Sequence, residues 1–145
     1  MRDDQDTLVT KALAVARIRA LRLGLLALHK ALIDTERRQY EKDHGRIESP
    51  HEALRLVLEA PAFQWLHPLA ELIVSMDEQL ADDGAIDRTT ADVLIDRTRA
   101  LIYGGDSNDR FREEYRRTLQ EAPEVVVAHA DVTKHLAGAN GSTRT

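Results

Sequence analysis

The chain has 145 residues and a mass of 16.3 kDa, a length that suits one domain and is short for two. Because 43% of its residues are hydrophobic, it can bury a core, which argues against a chain that is disordered throughout. It contains no cysteine, which excludes disulfides, thiolate metal sites and cysteine nucleophiles. Its net charge of −5 argues against a general nucleic-acid binder, because such proteins carry a basic surface.

The amino terminus and the most apolar segment both favour a soluble cytoplasmic protein. Positions 1–6 are acidic, whereas a secretory signal needs a positively charged start. The most apolar run covers residues 23–28 and is much shorter than the roughly 20 residues that a membrane span needs. We therefore expect no integral membrane association.

The first predicted element is a long helix over residues 7–42, which contain one glycine, no proline and many strong helix formers. At 100° per residue, its apolar side chains fall on two arcs. The first arc is a stripe with alternating spacings of four and three residues, which comprises Ala14, Ile18, Leu21, Leu25, Leu28 and Leu32. The second arc lies across the helix and comprises Leu8, Val15, Leu23, Leu26 and Ile33.

The length of this helix predicts how its two apolar arcs are covered. An unbroken helix of 36 residues is about 54 Å long, whereas a globule of this size is about 38 Å across. The helix therefore either breaks, near Gly24 or at its fraying ends, or protrudes and pairs with a neighbour. We favour protrusion, and the homodimer interface is predicted at a set of five residues: Ile18, Leu21, Leu25, Leu28 and Leu32.

The rest of the chain predicts further helices, each with a recognisable start. Ser49-Pro50-His51-Glu52 has the pattern of a capping box with proline at the first helical position. The later starts are Pro68, Asp87 or Thr89, Ser107 or Asn108, and Pro123, with glycines at 84 and 104 placed to end two of the helices. The predicted fold is all-α, a single bundle-like domain of five or six helices over residues 1–137. Residues 138–145 are predicted to form a disordered tail.

Residues 63–66 hold the densest aromatic content of the chain, between two prolines. One interpretation is a core plug where two helices meet at an angle. The other is a partly exposed Trp65 that anchors a protein or ligand contact.

Charge is distributed unevenly along the chain. Residues 7–33 carry five positive residues and no acid, whereas residues 77–96 carry seven acids and one arginine. Four of the basic residues share one arc of the first helix: Lys11, Arg19, Arg22 and Lys30. The simplest interpretation is that the two segments lie close together, and the alternatives are an acidic protein partner or an anionic membrane surface. The basic segment has no aromatic residue, which argues against nucleic acid.

One histidine pattern suggests a metal. His67-Pro-Leu-Ala-Glu71 places an imidazole and a carboxylate one helical turn apart, so that both could reach one ion. This spacing resembles the H-x-x-x-E element of hemerythrin-type di-iron bundles, and the resemblance implies an iron site that uses His67 and Glu71. That family also presents an H-x-x-x-x-D element, and none follows His67 in this chain. The competing interpretation is a histidine bonded to backbone at the start of a helix.

No pattern of catalytic residues is present. The glycine pair at 104–105 lacks the spacing of a phosphate-binding loop, and no serine lies in a nucleophile elbow. We therefore expect a non-catalytic interaction protein that self-associates through its first helix and needs no cofactor. A metal- or haem-binding helical bundle is the alternative.

Overall fold

The computed structural model of the chain describes residues 2–82, 84–104 and 109–140. These residues form six α-helices and a short 3-10 helix, and they contain no strand. The α-helices are α1 (Arg2–His44), α2 (Pro50–Glu59), α3 (His67–Ala81), α4 (Arg88–Tyr103), α5 (Asp109–Glu121) and α6 (Pro123–Asn140), and the 3-10 helix is Pro61–Leu66. The prediction of an all-α fold with a long N-terminal helix is confirmed.

Helix α1 is unbroken over 43 residues, which corresponds to a length of about 64 Å. The alternative of a break near Gly24 is therefore wrong, and the favoured prediction of an unbroken helix is confirmed. Instead, Gly24 is buried where α6 crosses α1, and a Cβ at this position would lie 3.2 Å from Asp131 Oδ2 and 3.4 Å from Val132 Cγ2. The glycine therefore permits close approach of two helices within a continuous helix. Helix α6 runs antiparallel to α1, because Glu124 near its start is bonded to Arg38 near the end of α1.

The predicted helix starts are confirmed at two places by their caps. The Ser49 hydroxyl accepts a hydrogen bond from the Glu52 amide at 3.1 Å, and the Asp87 carboxylate accepts one from the Thr90 amide at 2.8 Å. Helix α4 ends at Gly104, whose φ of +92° is the left-handed conformation that glycine adopts without strain. The predicted cap residues Ser107 and Asn108 lie outside the described residues.

The aromatic cluster between the prolines forms a core plug, as the first interpretation predicted. Phe63, Trp65 and Leu66 are all buried on the 3-10 helix, and Trp65 is only 3% exposed, so the prediction of an exposed anchor is wrong. The Trp65 ring packs against Phe111 of α5 with centroids 5.5 Å apart. The 3-10 helix, which connects α2 to α3, is therefore packed against α5.

The first arc of α1 faces the interior of the chain. Its members, defined here as the inner face, are Ala14, Ile18, Leu21, Leu25, Leu28 and Leu32, and none is more than 3% exposed. Helices α3, α4 and α6 and the 3-10 helix all pack against α1 and cover this side. The five residues predicted as a dimer interface are thus enclosed by their own chain, and the position predicted for the interface is corrected.

Helix α6 ends at Asn140, beyond the predicted end of the domain at residue 137. Residues 138–140 of the predicted tail therefore belong to the helix, whereas residues 141–145 lie outside the described residues.

Candidate interaction surface

A second apolar stripe runs along α1 on the side away from the core. We define it as the outer face, and it comprises Val9, Leu13, Ala16, Ala20, Leu23 and Ala27. Its three large side chains are mostly uncovered, with exposed fractions of 58% for Val9, 60% for Leu13 and 63% for Leu23. Leu8 and Leu26 border the outer face and are exposed as well. Single exposed leucines are common on globular proteins, whereas a group of adjacent exposed apolar side chains often marks an interaction site.

The sequence predicted part of this surface. Leu8, Leu23 and Leu26 of the predicted second arc are exposed, whereas Val15 and Ile33 are half-buried against the core. The alanines of the outer face, together with Val9 and Leu13, were missed. The signal that could have found them is spacing, because the outer face repeats the alternating spacing of four and three that marks the inner face.

A groove of about 350 Å³ lies beside the outer face, between α1 and the last turns of α6. It is lined by Leu13, Ala16, Arg17, Ala20, Leu21, Ile95, Lys134 and His135. Apart from Arg17, the α1 part of its lining is apolar and includes two of the outer-face alanines. A side chain that approaches the outer face therefore meets a concave surface.

The charges around α1 fall into two groups. On the core side, Arg22 forms an ion pair with Asp77 of α3, and the charge of Lys11 adds to the hydrogen bonds from Thr90 that lower the pKa of Asp87. These contacts confirm that the basic and acidic segments lie close together. Arg17 and Arg19, which flank the outer face on its two sides, form no ion pair or hydrogen bond with any described residue.

Comparison with protein-family models, with curated proteins and with solved structures finds no match for this chain. Within the described residues, no helix combines the length and the apolar content needed to cross a bilayer.

The metal hypothesis receives no support from the geometry. His67 and Glu71 are both exposed at the start of α3. An H-x-x-x-x-D spacing does precede them, at His29 and Asp34, but Asp34 accepts a hydrogen bond from Lys30 at 2.7 Å. Over the described ranges, no three His, Asp or Glu side chains gather closely enough to hold an ion.

A buried ion pair that the sequence analysis missed joins α1 to α5. The Glu36 side chain is 7% exposed and accepts a hydrogen bond from Arg117, which also donates to Glu114 at 2.9 Å and Glu121 at 3.0 Å. Burial raises the pKa of Glu36, because the loss of hydration outweighs the attraction of Arg117. Glu36 follows Leu32 by four residues, in line with the inner face, and a carboxylate in that position is the signal of a buried pair.

Two histidines are partly buried in the bundle. Burial lowers the pKa of both His29 and His129 below the ordinary value of 6.5. The Tyr115 hydroxyl lies 2.7 Å from His129 Nδ1 and joins α5 to α6. Both groups belong to the packing between helices rather than to a binding pocket.

Proposed function

We propose that this chain is a non-catalytic, cytoplasmic interaction protein that self-associates as a homodimer through the outer face of α1. One observation carries the proposal: the six residues of the outer face repeat along an unbroken helix, and its large side chains are more than half exposed. Ordinary amphipathic helices have one apolar stripe, which the chain covers itself. Helix α1 has two, and the described chain covers only the inner one.

Burial on association is the favourable free-energy change in this proposal. Transfer of a mostly exposed leucine from water to a packed interface stabilises by about 1–2 kcal/mol. Two copies of Val9, Leu13 and Leu23 provide six such side chains, before the cost of joining two molecules is subtracted. Helix α1 is held rigid by its inner face, so little further ordering is needed on association.

A substitution on the outer face tests the proposal against a matched control. Leu23→Glu places a charge on the outer face at a position that is 63% exposed, and Val93→Glu does the same on α4 at a position that is 53% exposed. We expect Leu23→Glu to convert the dimer to a monomer in sedimentation equilibrium, while Val93→Glu leaves the mass unchanged. Equal effects of the two substitutions, or a wild-type chain that is already monomeric, would contradict the proposal.

An acidic protein partner is the second candidate, and one observation favours it. Arg17 and Arg19 flank the outer face without a partner in the described part of the chain, and a helix with acidic flanks would complement them. Arg19→Gln separates the two candidates. The substitution should weaken binding of an acidic helix, whereas it should leave a homodimer intact or tighten it.

A further inference from the structure

We propose that two copies of the chain pair their outer faces as an antiparallel coiled coil, with a twofold axis midway between Ala16 and Ala20 and with Asp6 of each copy next to Lys30 of the other. This inference rests on the proposed self-association and specifies its geometry.

The repeat of the outer face extends by one position at each end, and both added positions are charged. Asp6 precedes Val9 by three residues, and Lys30 follows Ala27 by three residues. The series from Asp6 to Lys30 therefore keeps the alternating spacing of three and four that forms a coiled-coil seam. This spacing is symmetric about residue 18, so the series is the same when it is traced from either end.

Antiparallel pairing about residue 18 places opposite charges together at both ends of the seam. Each Asp6 lies across from Lys30 of the second copy, and the two charge pairs, about 36 Å apart, enclose an apolar centre about 27 Å long. A parallel dimer in register would instead place Asp6 against Asp6 and Lys30 against Lys30. The charges at the two ends therefore select the antiparallel orientation.

The same register also matches side-chain sizes across the seam. Val9 faces Ala27 of the second copy, and Leu13 faces Leu23. Ala16 faces Ala20 on both sides of the axis, so the two backbones can approach closely at the centre. Leu13 borders the groove beside α6, which leaves space for the Leu23 side chain of the second copy.

The charged positions are accessible to a second copy. Both Asp6 and Lys30 are exposed, and the Lys30 side chain is 79% exposed. The Lys30 ammonium donates to Asp34 on its own helix at 2.7 Å, and it can bind a second carboxylate from the same position. The side chains of residues 4–10 are all exposed, and several of them line a shallow groove with residues 87–89 at the start of α4.

Arg17 and Arg19 lie on opposite sides of the seam and close to the axis. In the proposed register each faces its own symmetry mate, so the centre of the dimer contains two repulsive pairs. Removal of one pair should therefore strengthen the dimer. We expect Arg19→Gln to lower the dissociation constant a few-fold, whereas an acidic partner in place of the second copy would predict weaker binding.

Cysteine cross-linking tests the register directly, because the chain has no cysteine of its own. Leu13→Cys and Leu23→Cys are prepared separately and oxidised either alone or as a mixture. We expect a disulfide-linked dimer only in the mixture, because residue 13 lies opposite residue 23 and about 15 Å along the helix from residue 13 of the second copy. Val93→Cys mixed with Leu13→Cys controls for random collision and should give no cross-link.

The outcomes separate failure of the register from failure of self-association. Cross-linking of each variant with itself, and not in the mixture, would overturn the antiparallel register and leave the homodimer in place. A monomeric wild-type chain would overturn both proposals.

Exchange of the two end charges gives an independent test. Asp6→Lys or Lys30→Glu alone should raise the dissociation constant about tenfold, because each turns two attractive pairs into repulsive ones. The double variant restores opposite charges across the seam and should return to within a few-fold of wild type. The two residues are about 36 Å apart within one chain and cannot compensate there. A double variant as weak as the single variants would overturn the register.

Discussion

Leu25 and Leu23 lie two residues apart on α1, and their substitution by alanine should have very different costs. Leu25 is fully buried on the inner face, whereas Leu23 is 63% exposed on the outer face. Leu25→Ala leaves a cavity in a core where α1 contacts several helices, so we expect it to lower the free energy of unfolding by about 3 kcal/mol. Only about a third of the Leu23 side chain is buried. Leu23→Ala should therefore lower the free energy of unfolding by about 0.5 kcal/mol, once the higher helix propensity of alanine is included.

Urea denaturation followed by far-UV circular dichroism measures both free energies of unfolding. The comparison is made at a protein concentration low enough for the monomer to dominate, because the dimer would add to the stability of wild type. At higher concentration the difference between Leu23→Ala and wild type should grow, whereas the difference for Leu25→Ala should change little. A cost of Leu25→Ala below 1 kcal/mol, or equal costs for the two substitutions at low concentration, would refute the assignment of the two faces.

Three further predictions concern the interior. Arg117→Met leaves Glu36 buried without its partner and should cost about 3 kcal/mol near neutral pH. Unfolding titrations should show this loss shrink as the pH falls below the ordinary glutamate pKa of 4.5, because Glu36 is then protonated in both the folded and the unfolded chain. The pKa values of His29 and His129 are lower in the folded chain than in the unfolded chain, so the unfolded chain takes up protons at a higher pH. The free energy of unfolding should therefore fall as the pH decreases through about 6.5. A variant with glutamine at both histidines should lose that part of the pH dependence, and an unchanged slope would contradict it. Gly24→Leu should lower the melting temperature by several degrees, because its side chain meets α6; an unchanged melting temperature would contradict this packing.

The fold was largely predictable because the residues that start and end its helices act locally. Ser49 and Asp87 start helices through their own side chains, and Gly104 ends one through its own backbone. The length of α1 followed from the absence of proline over its span. The packing role of Gly24 could not be predicted, because it depends on α6, which is more than a hundred residues away in the sequence.

The location of the candidate site was only partly predictable. The sequence indicated that α1 has more apolar surface than one face can account for, and this holds. It did not indicate which stripe the chain covers, because Leu25 and Leu23 have the same side chain and differ only in which helices lie beside them. Glu36 was missed for a similar reason, since its partner Arg117 lies on a distant helix.

Self-association is tested by the mass of the unmodified chain in solution, measured by light scattering over a range of concentrations. We expect the measured mass to approach twice the 16.3 kDa of one chain as the concentration rises. A mass that stays at the value of one chain up to high micromolar concentration would contradict it.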